Sequence, residues 1–155
     1  MKAVIQRVFS ASVIIDGKEI GSINQGLLVL LGVSQEDAQT DLEYLVKKTA
    51  GLRIFKDKHA NMNLTIKDVG GEALVVSQFT LYAETRRGRR PSFSPAAPAQ
   101  SARELFDKTL ELFKVSGLSV TSGRFQEHMI IELQNNGPVT ILIDSSDRWA
   151  PTRGR

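Results

Sequence analysis

Ala3, Ile5 and Arg7 alternate with Val4, Gln6 and Val8, and Ala11 to Ile15 continues the period of two that marks a strand. Asp16-Gly17 is a tight hairpin signal, so a return strand is predicted over Glu19 to Ile23. After Asn24-Gln25-Gly26 the alternation stops. Leu27 to Val33 is apolar on both faces, which predicts a central strand or one at a subunit interface. Ser34 and Asp37 then offer caps for a helix running to about Ala50, with Ala38, Leu42, Leu45, Val46 and Thr49 on one face and Gly51 at its end.

A short strand at Arg53-Ile54-Phe55 is followed by the polar stretch Lys56 to Asn63, whose Asp57 and His59 read as a surface turn. Asp68-Val69-Gly70-Gly71 turns the chain into a strand predicted from Leu74 to Tyr82. Glu84 to Pro98 is loop-like, and a second helix is predicted from near Pro98 to Val115, with Ala102, Leu105, Phe106, Thr109, Leu110 and Phe113 facing the core. Ser101 with Glu104 fits a capping box, Ser94 before Pro95 is a competing start, and Gly117 closes the helix. Three more strands are predicted, Ser119 to Thr121, His128 to Leu133 and Val139 to Asp144, the last two joined by Gln134 to Pro138.

At 155 residues the chain suits one domain, since domains commonly hold ~100–150 residues and bury a sizeable core at that size. It has no cysteine, which excludes disulfides, thiolate nucleophiles and sulfur metal sites, and its only histidines, His59 and His128, argue against a histidine-rich metal centre. No secretory signal is visible in Met1 to Ser10 and the longest apolar run, Leu27 to Leu31, is too short to span a bilayer, so a soluble cytoplasmic protein is expected. The net charge is +3, with pI ≈ 9.3. Four of the arginines, Arg86, Arg87, Arg89 and Arg90, crowd one loop, where guanidinium forks suit phosphate oxygens; a solvated surface loop is the other reading. The tail from Ser146 to Arg155 is basic, loses the period and is expected to be mobile, unless Trp149 docks it.

Chemistry points to the strand Leu74 to Tyr82, because it carries Ser77, Gln78 and Thr80 among apolar neighbours. Burying an unpartnered amide or hydroxyl costs ~1–3 kcal/mol, so these groups either have structural hydrogen bonds or line a pocket. Alternation places Gln78 and Thr80 on the face of Leu74 and Val76, with Ser77 and Phe79 opposite. Nothing marks either histidine as a base for Ser77 or Thr80, no phosphate-binding glycine loop or zinc signature is present, and paired carboxylates are not evident. An enzyme built on this stretch works by positioning and hydrogen-bond donation. The second polar stretch, Asn135 to Thr140, is informative in its backbone. Gly137 lets a ligand approach closely and Pro138 makes a cis peptide affordable, so the pair reads either as a rigid carbonyl wall or as an ordinary turn.

These segments together resemble the D-aminoacyl-tRNA deacylase family. The resemblance is carried by Met1 to Val8, Gly26 to Val33, Asn61 to Leu64, Ser77 to Ala83, Arg90 to Ser94, Gly123 to Phe125 and Asn136 to Thr140, in order over residues 1 to 145. It implies an α+β single domain over 1–145 with antiparallel β-sheets forming a barrel-like core flanked by two main helices, assembled as a homodimer without cofactor or metal. It implies hydrolysis of the ester joining a D-amino acid, or mischarged glycine, to the 3′ end of tRNA. Ser77, Gln78, Phe79 and Thr80 would line the site, with Gln78 and the N–H groups of Phe79 and Thr80 holding the carbonyl oxygen. Gly137-Pro138 would be a cis element supplied by the opposite subunit to reject L-aminoacyl groups, braced by Arg7. Phe125 and Met129 would cradle the terminal adenine, and the arginine loop would track tRNA phosphates. The nucleophile would be water or the tRNA's own 2′-hydroxyl in preference to Thr80. Two departures are Asn136, where an aspartate is common, and the tail beyond Ser145. A non-catalytic RNA-binding module using the arginines, and a Thr80-nucleophile hydrolase of small esters, are the competing functional classes.

Overall fold

The computed structural model describes residues 1–149. Strands β1 (Lys2–Ile15), β2 (Lys18–Ile23) and β3 (Gly26–Gly32) lead into helix α1 (Gln39–Gly51). A two-stranded hairpin, β4 (Phe55–Lys56) with β5 (Met62–Leu64), precedes β6 (Glu72–Ser77), a 3-10 turn (Phe79–Tyr82), helix α2 (Ala99–Val115), β7 (Ser119–Ser122), β8 (Ile130–Asp144) and a closing 3-10 turn (Ser145–Trp149).

One sheet runs β2-β1-β3-β6-β7, and β8 lies along the other edge of β1. The sheet curls until β2 comes near β6 and β7, giving a nearly closed barrel. The antiparallel expectation holds for β1 with β2, β3 and β8, but β3, β6 and β7 run parallel to one another. The correction follows from the connections: each passes through a helix, which carries the chain back to the opposite end of the sheet, so that the next strand starts where the last one started.

The unbroken apolar run of β3 is explained by cover on both faces. Leu27, Val29 and Leu31, with Ala73 and Val75 of β6, pack under the helices against Leu42, Leu45, Phe106 and Phe113. Leu28, with Leu74 and Val76, points into the barrel against Val8, Val13 and Ile23. Helix α2 buries Ala102, Phe106, Thr109 and Phe113 at the spacing of one helical face, and Phe113, with no exposed surface, contributes ~1.5–3 kcal/mol by burial alone. Thr109 satisfies its hydroxyl on the Leu105 carbonyl at 2.7 Å.

Three predicted boundaries shift. Strand β6 stops at Ser77 instead of running to Tyr82, because the chain turns into the 3-10 segment there. The separate strands predicted around Gln134 to Pro138 are one strand, β8, whose ladder with β1 jumps from Thr140 opposite Gln6 to Asn135 opposite Val8. The residues between them form a bulge on β8. At α2 the first residue follows Pro98, and Ser101 donates to the Pro98 carbonyl at 3.1 Å rather than forming a box with Glu104.

The predicted caps of α1 have another task. Asp37 accepts the Ser34 N–H at 2.6 Å and pairs with the Met1 ammonium group, while Asp41 accepts the Ala38 N–H at 3.0 Å and the Ser145 hydroxyl at 2.6 Å. Arg148 also pairs with Asp41, so the tail expected to be mobile is held to α1 as far as residue 149; Trp149 itself is 78% exposed, and residues 150–155 lie outside the described residues. Burial works to raise the Asp41 carboxyl, but hydrogen bonds from Arg148, Ser145 and the Ala38 N–H, with the ammonium nearby, hold it well below the usual carboxylate range.

A carboxyl depressed in the folded state stabilises the fold above its unfolded pKa of ~3.9, and that contribution is lost as pH falls below it. Asp41→Asn is therefore expected to cost about 3 kcal/mol at pH 7, by removing a carboxylate that the fold holds ionised and leaving the half-buried Arg148 without its ion pair, and to flatten the loss of stability between about pH 5 and pH 2. Denaturant unfolding of both proteins across that range measures each effect.

Candidate active site

The site lies where β3, β6 and β7 end. Being parallel, all three release their chains at one end of the sheet, and Val33, Ser77 and Phe125 follow those ends closely into the lining of one cavity of about 620 Å³. The start of α2 closes another side with Ala99 and Ala102, and Phe93 and Met129 complete the apolar lining. Phe79, 55% exposed at this site, stands edge-on to Phe93 with ring centres 5.0 Å apart.

The turn after β6 is held by main-chain bonds: Gln78 N–H donates to the Leu31 carbonyl at 2.8 Å, and Leu81 N–H to the Gln78 carbonyl at 3.2 Å. The first N–H groups of a helical turn have no acceptor inside it. Those of Phe79 and Thr80 occupy these positions, and among the described residues neither finds a partner. Gln78 spans the same turn by donating from Nε2 to the Thr80 hydroxyl. The predicted alternation of faces therefore does not apply beyond Ser77. Ser77, Gln78 and Phe79 line the cavity, whereas Thr80 is exposed and outside the lining. Tyr82, at the end of the turn, is pushed far above the usual phenol range by burial and by the charge of Asp37, so it stays protonated.

Phe125 and Met129 lie in the cavity wall with the Ser77 segment. Gly137 and Pro138 do not. Their bulge is exposed on β8, with the Gly137-Pro138 peptide bond cis, and Arg7 sits behind it. Arg7 is 3% exposed and donates from Nε to the Asn136 carbonyl at 2.9 Å and from Nη1 to the Ile54 carbonyl. A buried guanidinium needs partners for its donors, and here two main-chain oxygens serve Nε and Nη1. Asn135 secures the bulge from its other end by accepting the Val139 N–H at 2.8 Å.

The four loop arginines are exposed between Tyr82 and Phe93. Arg86 is engaged with Glu84, whose carboxyl its hydrogen bonds hold down at about 2, while Arg87, Arg89 and Arg90 have no ion-pair partner among the described residues. His59 sits in the Asp57 turn, its N–H donating to Asp57 at 2.8 Å, as a surface reading requires. Sequence reasoning missed His128, Glu127 and the alanines of 96–102 as cavity residues, since none belongs to a recognisable motif. Phe93, named in the Arg90 to Ser94 segment of the resemblance but given no role, was also missed as a wall.

Two free main-chain donors beside a largely apolar cavity equip a protein to handle an acyl group through its oxyanion. Comparison with known proteins gives the class a family. The profile described as D-Tyr-tRNA(Tyr) deacylase matches residues 4–144. A D-aminoacyl-tRNA deacylase of Thermotoga petrophila is 52% identical over 146 residues, 94% of this chain and 98% of that one, and its counterpart in Clostridioides difficile is 52% identical with the same coverage. Among solved structures, one titled c-Myc DNA Unwinding Element Binding Protein aligns with a TM-score of 0.88 at 39% identity over 93% of this chain and 98% of that one. A probable eukaryotic D-amino acid tRNA deacylase shares the fold at a TM-score of 0.76 and 16% identity, over 92% of this chain and 97% of its own. The chain belongs to the D-aminoacyl-tRNA deacylase family, a family of hydrolases acting on ester bonds. No helix among the described residues is long and apolar enough to cross a membrane.

The donors depend on one glycine behind them. A Cβ on Gly32 would stand 3.0 Å from Leu81 Cβ and 3.1 Å from the Gln78 carbonyl oxygen, so the turn can lie this close to β3 only because Gly32 has none. Gly32→Ala is expected to shift the turn by a few tenths of an ångström. The change should lower kcat about tenfold and stability by about 1–2 kcal/mol. Steady-state deacylation alongside thermal unfolding separates these effects.

Proposed function

We propose that this chain hydrolyses D-aminoacyl-tRNA, and glycine mischarged on tRNA, in the cytoplasm, as a homodimer that selects by chirality. The observation that carries this reading is the pair of unpartnered N–H groups of Phe79 and Thr80 beside the cavity. In the reaction a water adds to the ester carbonyl carbon; where the 2′-hydroxyl of the terminal ribose adds first, the acyl group only moves to the 2′-oxygen, and a water then adds to that ester to release it. The developing oxyanion is held by the two N–H groups and Gln78. Collapse breaks the bond to the ribose 3′-oxygen, which takes a proton, and tRNA and the free D-amino acid leave. The residues shown here supply no thiolate, and no group of three or more potential metal ligands lies among the described residues.

Chirality is assigned to Gly137 and Pro138. These residues lie outside the cavity of their own chain, so their use there requires a second copy to present them. A carbonyl wall placed where an L side chain must go excludes every L residue, leaves a D side chain free and cannot reject glycine. Arg7 fixes the wall's position through Asn136. Phe125 and Met129 hold the terminal adenine, and Arg86, Arg87, Arg89 and Arg90 follow the tRNA backbone. Those exposed arginines also support the competing reading, a nucleic-acid-binding module without catalysis.

Hydrolysis of D- and L-aminoacyl-tRNA carrying the same amino acid, by wild type and Gly137→Ala, decides between these readings. Wild type should remove only the D-ester. At residue 137 φ is +138°, and a Cβ would meet Val139 Cγ2 at 2.7 Å and Arg7 Nη2 at 2.9 Å, so the variant should lose activity or selectivity. Survival of both esters on RNA that wild type still binds would leave the binding module as the function. Thr80→Ala tests the nucleophile. It is expected to lose less than about tenfold in kcat with no trappable acyl-enzyme, whereas removing a true nucleophile costs on the order of 10⁶.

A further inference from the structure

Arg103 stands on the second turn of α2, exposed, with its guanidinium carbon 4.8 Å from the centre of the Phe125 ring. The neighbouring residue, Ala102, lines the cavity, and so does Phe125, while Arg103 does not. Phe125 thus touches both the cavity and the guanidinium. Phe106 packs at an angle against the same ring, centres 5.9 Å apart, which steadies it. A cation over an aromatic face is held by the ring's charge distribution and keeps its in-plane N–H donors free. Among the described residues no carboxylate lies within ion-pair distance of Arg103, in contrast to Arg124 next to Phe125, whose guanidinium is 3.8 Å from Glu127.

From this geometry we infer that Arg103 is a phosphodiester-binding residue, which grips the backbone of the RNA 3′ end just outside the cavity that takes the terminal nucleoside. The inference rests on the deacylase reading above, in which Phe125 faces the terminal adenine. In that reading a nucleoside held against Phe125 sends its 5′-phosphate out of the cavity on the side where the strand leaves it. Arg103, beside the Phe125 ring and outside the cavity lining, offers an unclaimed planar fork suited to two phosphate oxygens. The arginine loop leaves the cavity beside Phe93, from a different segment of chain, so Arg103 is a separate contact on the strand. Its role is to make the enzyme prefer an aminoacyl ester on RNA over the same ester without phosphate.

The test compares D-aminoacyl-tRNA with the D-aminoacyl ester of adenosine, which has no phosphate, for wild type, Arg103→Ala, Arg103→Lys and Lys108→Ala. Lys108 is an exposed cation of the same helix, away from the cavity lining. For Arg103→Ala, kcat/KM on tRNA should fall about tenfold more than on the nucleoside ester, the scale of one hydrogen bond to a charged group, with the loss in KM. The slope of log affinity for tRNA against log salt should become shallower by about 0.7, one single-strand phosphate. Arg103→Lys should recover part of the loss and the full salt slope, and Lys108→Ala should change neither ratio nor slope. Equal losses on both substrates, or an unchanged salt slope, would overturn the assignment and leave Arg103 as a support for Phe125. Wild type inactive on both esters would instead remove the deacylase reading and the assignment with it.

Discussion

Strand β1 is committed on both edges. Its first half takes β3 and its second half β2, while β8 runs antiparallel along nearly its whole length. A strand paired twice over must bend where its partners change, and the break in its burial pattern falls there, with Arg7 and Val8 both inside. At the same place the β8 ladder is interrupted, and the main-chain groups it frees need new partners. Arg7 answers for one of them, the Asn136 carbonyl on β8, and ties it to the Ile54 carbonyl ahead of the β4 hairpin. The bulge that carries Gly137 and Pro138 is thus fixed by the way the central strand is shared.

The site depends on the other half of the sheet. Three parallel neighbours let go of their chains together, and a polar turn, an aromatic and an aliphatic residue arrive at one cavity from positions 33, 77 and 125. Helix crossovers make this possible, since a hairpin would bring each strand back the opposite way. The two N–H groups at the turn are free because a helical turn cannot satisfy its own start, and Gly32 lets that turn sit against β3. Main-chain donors of this kind are set by the fold itself and need little side-chain chemistry around them.

Much of this was legible in the residues. The two helices, their buried faces, the early hairpin and the double-sided burial of Leu27 to Leu31 follow from period and turn signals. Ser77 and Gln78 were found because polar groups on an apolar run need a reason; Phe79 came with the family resemblance, and Thr80, picked by the same polar signal, stands outside the lining. The strand end at Ser77 was not legible, since Phe79, Leu81 and Tyr82 suit a strand, and after the last rung from Gln78 to Leu31 it is the bond from Leu81 to the Gln78 carbonyl that turns the chain. Parallel pairing was missed because crossovers leave no local mark. The bulge read as a loop, because Asn135 to Pro138 are turn residues whose pairing lies more than a hundred positions away. Asp37 was misread as a cap, its true partners being supplied by the start of the chain and by Ser34.

The pairing of β1 with β8 has a consequence for the life of the chain on the ribosome. Residues 2–15 can find β2 and β3 soon after they are made, but the edge that awaits residues 130–144 stays open until nearly all the chain has emerged. An unpaired edge is a template for any other strand in reach. Nascent chains should therefore pass through a long interval in which folding is almost complete and the most adhesive line on the molecule is still uncovered. The exposed flank of a single strand, rather than the core, sets how crowded a site of synthesis this protein can tolerate.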